Sequence, residues 1–276
     1  MNAFSVLVWN MALGSYPKRD PRPGWSKLKE LTEGRAHIAL LNEAADVPSS
    51  LHAVFESQGT KGRDRKRRPW STAIVSNIPM TPISDAKPRN YLGQSRTHYW
   101  FENSRPGSWT AVSVQLSESV EITCISLYGL LDDLSDASVH RSLSDLDPIF
   151  SDPRYANRVI LGGDLNLTTQ WHGEPRARAM GVFDRIRSFG LEDCLLAKRD
   201  AGRIDGCTCS PDPCTHTRTK WEPGSTDGGY PHQMDYLFAT PNLIENGGLV
   251  RCEVPPAEVW NSVSDHAPLE ATFEVR

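Results

Sequence analysis

No stretch of the chain approaches the roughly 18 uncharged apolar residues that a membrane helix requires, so no membrane partner is expected. The start, MNAFSVLVWNMALG, lacks the basic run and small-residue cleavage site of a secretion signal, and a cytoplasmic location is the expectation. An excess of positive charge is missing too. Lys and Arg number 30 against 34 Asp and Glu, a formal charge of −4, which excludes a protein that coats nucleic acid by bulk charge. A phosphodiester polymer would have to be met by a local basic patch or a metal-filled site. Cysteine is scarce: six in 276 residues cannot build a disulfide scaffold. Cys124, Cys194 and Cys252 stand alone and suit small buried positions. There is no internal repeat and no Ser/Gly- or Pro-rich linker, so one domain over residues 1–276 is expected. At 38% hydrophobic and 23% charged, the chain is long enough to bury a substantial core.

What is present is a series of short β-branched runs: Ser5–Val8, Ile38–Leu41, Thr72–Val75, Thr110–Leu116, Val120–Leu127, Val159–Leu161, Met234–Phe238 and Ala271–Val275. Such runs predict buried strands. Between them, residues 25–33, 49–58, 138–149 and 175–189 are compatible with helix. Strands outnumber helices, and some adjoin while others are separated by a helix. The pattern predicts an α/β protein built on mixed sheets with flanking helices.

Several runs end in the same kind of residue. Trp9-Asn10, Asn42-Glu43, Tyr128, Gly163-Asp164-Leu165-Asn166, Gln233-Met234-Asp235-Tyr236 and Ser264-Asp265-His266 put carboxylates, amides, a phenol and an imidazole at or near strand ends. Strand ends hold such groups rigidly along one sheet edge, where open α/β folds build their sites. Glu, Asp and Asn are hard oxygen donors suited to Mg²⁺ or Mn²⁺, not to zinc. One strand-end Asp is most simply a turn former; six such segments in one chain point to a site.

The ordered motifs WN, NE, GDLN, MDY and SDH, from Asn10 to His266, resemble the endonuclease/exonuclease/phosphatase superfamily. The resemblance implies a four-layer sandwich of two mixed β-sheets flanked by helices, with the site at the sheet edges. It implies Glu43 as the main Mg²⁺ ligand, with Asn10 beside it and Asp265 near the ion. Asp164 would orient or deprotonate the attacking water, and Asn166 would hydrogen-bond the phosphate or the nucleophile. His266 would contact the scissile phosphate, with Asp235 holding its ring. The chemistry is coherent: a phosphodiester resists attack because its oxygens are anionic, and a metal ion plus an imidazolium neutralises the charge that develops.

Two departures accompany the resemblance. Pancreatic-type deoxyribonucleases carry a histidine just past the middle strand, whereas Tyr128 stands here, closer to the apurinic-endonuclease pattern, in which a phenol contacts the phosphate. Apurinic endonucleases also place an acidic residue two positions after WN, and here Met11-Ala12 follow, which removes one metal-site carboxylate. A Cys/His-rich insert at about 203–220 has no counterpart carried over. Cys207, Cys209, Cys214 and His216 in it could clip a structural Zn²⁺ or remain reduced thiols beside an imidazole. Trp221, after it, resembles the family's Thr/Trp segment and is a substrate-contact candidate. So are Lys66, Arg67 and Arg68 in the basic loop 61–68, with Trp70 as a stacking partner, and Arg96 further on.

The expectation is a Mg²⁺-dependent phosphodiester hydrolase, foremost a DNA nuclease of endo- or exonuclease type. A phosphatase or an inositol-phosphate or phospholipid-headgroup hydrolase on the same scaffold is the alternative. A non-catalytic nucleic-acid adaptor is the lesser one.

Overall fold

The computed structural model describes residues 3–13, 21–57, 71–86, 101–131, 135–198, 216–221 and 232–275. Two mixed sheets of six strands each face one another. The first has the order β11-β12-β1-β2-β4-β3 and the second β5-β6-β7-β8-β10-β9. In the first, β1 (Ala3–Asn10) and β2 (His37–Ala44) run parallel, joined through α1 (Arg22–Thr32). β3 (Ala53–Ser57), β4 (Ser71–Ser76), β11 (Leu249–Glu253) and β12 (Leu269–Glu274) complete it with antiparallel pairings. The second sheet repeats the plan. Its parallel pair is β7 (Val120–Leu127) and β8 (Val159–Asp164), joined through α2 (Ser135–Ser151). β5 (Met80–Pro82), β6 (Trp109–Ser117), β9 (Glu192–Asp193) and β10 (Asp235–Ala239) pair antiparallel around it. The helices α3 (Gly173–Ser188), α4 (Cys194–Lys198) and α5 (Pro241–Ile244) follow β8, β9 and β10.

The strands are apolar on both faces because both faces are covered. In β1, Phe4, Val6 and Val8 point between the sheets, with Ile38 and Leu40 of β2 and Leu269, Ala271 and Phe273 of β12. The alternate residues Leu7 and Trp9 point outward and pack with Trp25 and Leu28 of α1. On the far side, Val139, Leu143 and Leu146 of α2 and Val182 and Ile186 of α3 cover Ile125, Leu161 and Phe238. Helix, sheet, sheet and helix thus stack as four layers.

Seven of the expected strands and three of the four expected helices lie within a few residues of their predicted bounds, and Met234–Phe238 begins one residue later, at Asp235. The helix expected at 49–58 is a correction, because its described part contains strand β3, paired in register with β4 from Ala53↔Val75 onward. Val54 packs against the inter-sheet core and Ala53 against the outer one, so pairing and burial override a weak local helical preference. The short strands β5, β9 and β11 carry too little apolar pattern to be anticipated. Among the described residues, no helix is long and apolar enough to cross a membrane.

Gly163 shows why the GGD run ends β8. It has φ of +153°, and a Cβ there would lie 1.8 Å from the carbonyl oxygen of Leu127 and 2.8 Å from Asn42 Oδ1. Only glycine lets β8 come this close to β7 and to the other sheet just before Asp164.

Candidate functional site

Asn10, Glu43, Asp164, Asp235 and His266 meet at one end of the two sheets. The first sheet supplies Asn10 at the end of β1, Glu43 near the end of β2, and His266 just before β12. The second supplies Asp164 at the end of β8 and Asp235 at the start of β10, which face each other as partners in the β8–β10 ladder. All five are almost completely buried.

His266 Nδ1 lies 2.8 Å from Asp235 Oδ2, and its Nε2 lies 3.7 Å from Asp164 Oδ2. The Asn10 amide then links the sheets, donating from Nδ2 to Asp164 Oδ2 at 2.8 Å and to Glu43 Oε1 at 3.3 Å. Its carbonyl oxygen accepts the Ala12 N–H at 2.9 Å, which fixes the orientation of the amide. Expected as a ligand beside Glu43, Asn10 here presents N–H groups, not oxygen, to both carboxylates. Tyr128 donates its hydroxyl to Glu43 Oε1 at 2.8 Å. The phenol is 1% exposed, and burial, with the charges of Glu43 and Asp164, pushes its pKa well above the ordinary value. Its hydroxyl is thus a permanent donor that holds Glu43.

Backbone geometry aims two of these groups. Glu43 has φ of +47° and Asn166 +51°. The register between β2 and β4 shifts between Leu41 and Ala44, so Glu43 sits on a bulge that turns its side chain. Left-handed backbone costs a non-glycine residue about 1–3 kcal/mol. Asn tolerates it through local hydrogen bonding, and Asn166 donates its own N–H to Asp164 Oδ1 at 2.8 Å and its amide to Gly129 O at 2.9 Å. Glutamate has no such compensation, and the hydrogen bonds from Tyr128 and Asn10 hold it instead.

Burial pushes the Asp164 carboxyl up to about 7; the charge of Asp235 adds to the rise, and His266 opposes it. Burial works against the His266 cation, but Asp235 and Asp164 outweigh it and raise the ring to about 9. This has a measurable consequence for stability. The unfolded imidazole titrates near 6.5, so its stabilisation is complete below that pH and is lost as pH rises through about 9. With chelator present, urea unfolding should show a loss of up to about 3 kcal/mol between pH 6.5 and 9.5. Asp164 shifts in the same sense, and the end of its loss falls in the lower part of this window, so the slope above about pH 8 is the part that reads His266. His266→Gln should remove the slope; an unchanged slope in that variant would assign it to other groups.

Lys220 was not anticipated. Its segment lies between residues 232–234 and 264–267, with isolated bridges from Lys220 to His232 and to His266. Thr219 faces inward, and its hydroxyl accepts the N–H groups of Met234 and Asp235 at 2.9 and 3.0 Å. Lys220, on the alternate side, pairs with Asp265 Oδ2 and sets Nζ 2.9 Å from His266 Nε2. Burial opposes the Lys220 cation, but Asp265 holds its pKa above the ordinary value. Burial likewise opposes the Asp265 anion, but His266 and Lys220 bring its pKa below the usual range. Asp265, expected near a metal ion, is therefore turned to an ammonium. The one legible signal was the alternation in Thr219-Lys220-Trp221, which puts the lysine on the face opposite its two neighbours.

The remaining candidates divide. The indole of Trp221 packs on Trp260 with ring centroids 5.8 Å apart, under the Arg218 guanidinium 3.4 Å from its ring centre. His216 lies 2.6 Å through Nε2 from Thr169 Oγ1, and burial with the nearby Arg176 lowers its pKa to about 4, which keeps it neutral. Lys66, Arg67, Arg68, Trp70, Arg96, Cys207, Cys209 and Cys214 lie outside the described residues. Sequence reasoning also passed over Asn42, completely buried, whose Oδ1 accepts the Asp164 N–H at 2.7 Å and whose Nδ2 donates to Ser126 Oγ at 3.2 Å. It ties the sheets together directly beneath the site.

The donor set fits a hard divalent cation on the Glu43–Asp164 side. These are carboxylate oxygens on rigid strand ends, brought within reach of one Asn10 amide that hydrogen-bonds both. Asp164, Asp235 and His266 also offer ligand atoms within 4.8 Å of one another. There, however, both ring nitrogens are already engaged, by Asp235 and by Lys220. Asp235 keeps its second oxygen, Oδ1, buried with no hydrogen-bond partner among the described residues.

No protein-family model and no curated protein matches the sequence. Solved structures do match in fold. The endonuclease domain of TRAS1, a telomere-specific non-LTR retrotransposon, is 16% identical over 99% of both chains, with a TM-score of 0.62. The AP endonuclease LMAP from Leishmania major is 15% identical over 100% of this chain and 89% of that one, with a TM-score of 0.66. The 3′ phosphatase NExo from Neisseria, bound to a product DNA hairpin, is 15% identical over 99% of this chain and 100% of that one, with a TM-score of 0.60. From end to end, the chain has the fold of the endonuclease/exonuclease/phosphatase superfamily.

Proposed function

We propose that the chain is a divalent-metal-dependent phosphodiester hydrolase, with nucleic acid as its substrate and DNA foremost. The observation that carries this is the line of hydrogen-bonded and ion-paired groups Asp235, His266, Asp164, Asn10 and Glu43 across the two sheet ends. The solved neighbours named above include an AP endonuclease and a DNA-bound 3′ phosphatase, which supports a substrate of that class.

Asp164 accepts a proton from the attacking water, because a carboxyl raised to about 7 is a better base than an ordinary aspartate. Asn10 and the Asn166 N–H fix its two oxygens so that it can do so. Asp235 holds the His266 ring by Nδ1, so that the Nε2 edge, next to the Lys220 ammonium, meets the phosphate oxygen on which charge develops. Mg²⁺ or Mn²⁺, held by Glu43 and Asp164, would supply Lewis-acid stabilisation of that same charge.

The test is cleavage of supercoiled plasmid, linear duplex and single-stranded oligonucleotide with Mg²⁺, Mn²⁺ or chelator. Metal-dependent cleavage is expected. Glu43→Gln should raise the Mg²⁺ concentration for half activity by about tenfold or more, since it removes one ligand charge. An unchanged requirement would move the ion away from Glu43. Release of phosphate from terminal monoesters, with no internal cleavage, would replace the nuclease by a phosphatase.

A further inference from the structure

The groups around His266 are dominated by negative charge. Asp235 and Asp164 flank the ring, and Asp265 immediately precedes it in sequence. Among the described residues, Lys220 is the only Lys or Arg that hydrogen-bonds or ion-pairs with any of these four side chains. A dianionic or polyanionic substrate approaching such a place needs more cation than one imidazole supplies.

Lys220 is placed to supply it. Its side chain is 31% exposed, whereas that of His266 is 3% exposed. An anion arriving from solvent therefore meets the ammonium on the way to the ring. The ammonium carries three N–H donors: one goes to Asp265, and a second points at His266 Nε2 from 2.9 Å. An oxyanion set between the two nitrogens can accept from the ammonium while lying against the Nε2 edge of the ring. Asp265 anchors the ammonium through Oδ2. The backbone bond from Trp221 N–H to Asp265 O, 2.8 Å, and that from Ala267 N–H to Thr219 O, 2.8 Å, fix the two segments against each other. The lysine is thus held in position before substrate arrives.

We propose that Lys220 is a substrate-contacting residue: its ammonium, braced by Asp265 beside His266 Nε2, is a second cation for the phosphate group undergoing cleavage. Asp265 then acts as the brace of Lys220 and not as a metal ligand. The proposal rests on the hydrolase reading of the same site.

The experiment measures two things on the full chain: binding of inorganic phosphate by ³¹P NMR titration in the presence of chelator, and kcat and KM on a cleaved oligonucleotide with Mg²⁺. Lys220→Met should weaken phosphate binding by about tenfold or more and lower kcat/KM by at least as much, while Lys220→Arg stays within about threefold in binding because the charge remains. Asp265→Asn should bind phosphate as well as the wild type or better. The double variant Lys220→Met with Asp265→Asn carries no unpaired buried charge, so it separates a lost phosphate contact from a disturbed fold. It should bind phosphate as weakly as Lys220→Met. Wild-type affinity in Lys220→Met, or affinity regained in the double variant, would overturn the proposal. A wild-type chain that cleaves nothing with either metal would overturn the hydrolase reading alone, because the phosphate titration reads Lys220 without turnover.

Discussion

Asp164→Asn is expected to lower kcat by about a thousandfold or more while leaving the fold intact. Loss of a positioned general base alone removes about 10²–10⁴ in rate, and here the same carboxylate also faces the proposed cation. The substitution is nearly isosteric, so packing beside Asn10 and Gly163 should survive. One local conflict arises. Oδ2 accepts from Asn10 Nδ2 and Oδ1 from the Asn166 N–H, at 2.8 Å each, and an amide can satisfy only one of these donors. Leaving the other unpaired costs about 1–3 kcal/mol. Against this, the variant no longer buries a charge at a position 1% exposed. The urea midpoint should therefore move little, and steady-state rates on the preferred nucleic acid should carry the whole effect. A variant that keeps more than about a tenth of wild-type turnover would remove Asp164 from the chemistry.

Asp235→Asn should have the second-largest effect, a fall in kcat of about a hundredfold or more, together with a change in the shape of the pH–rate profile. Asp235 is the leading cause that raises His266 to about 9. Without its charge the ring gives up its proton at a lower pH, so the alkaline limb of the profile moves toward neutrality. The direction follows from the sign of the charge removed: a lost anion destabilises the neighbouring cation. The amide can still hydrogen-bond Nδ1, so the ring need not leave its place, but it can also select the wrong tautomer. A profile whose alkaline limb stays where it is in the wild type would show that Asp235 only supports the ring mechanically.

Much of this site is legible because its groups terminate strands that the chain advertises by continuous apolar runs. Val159 to Asp164 and Ser5 to Asn10 could be placed from residue type alone, and the polar residue that ends each of them is the one found at the sheet end. What escapes the sequence is whatever depends on a partner distant along the chain. Nothing near Glu43 announces its left-handed backbone, which comes from the register shift against β4. Nothing near Asn10 says which end of its amide faces the carboxylates; the Ala12 N–H decides that. Asp265 resembles a ligand until Lys220, 45 residues away, is brought to it. Residues 53–57 form a strand only because β4 lies alongside. Local pattern reports what an element is, and long-range pairing reports what its last residue touches.

The two halves of this site belong to different sheets. Glu43, Asn10 and His266 ride on one and Asp164, Asp235 and Tyr128 on the other, with Asn42 among the pins between them. Turnover is in that sense a vernier for the alignment of the sandwich. A slip of one layer over the other by a fraction of an ångström, too small to melt anything, misaligns the scale. Two residues before Asp164 in β8, a Cβ on Gly162 would come within 2.5 Å of Val8 Cγ2. A side chain wedged there would part the layers, and the proposed hydrolase would fall silent with every one of its reactive groups still in place.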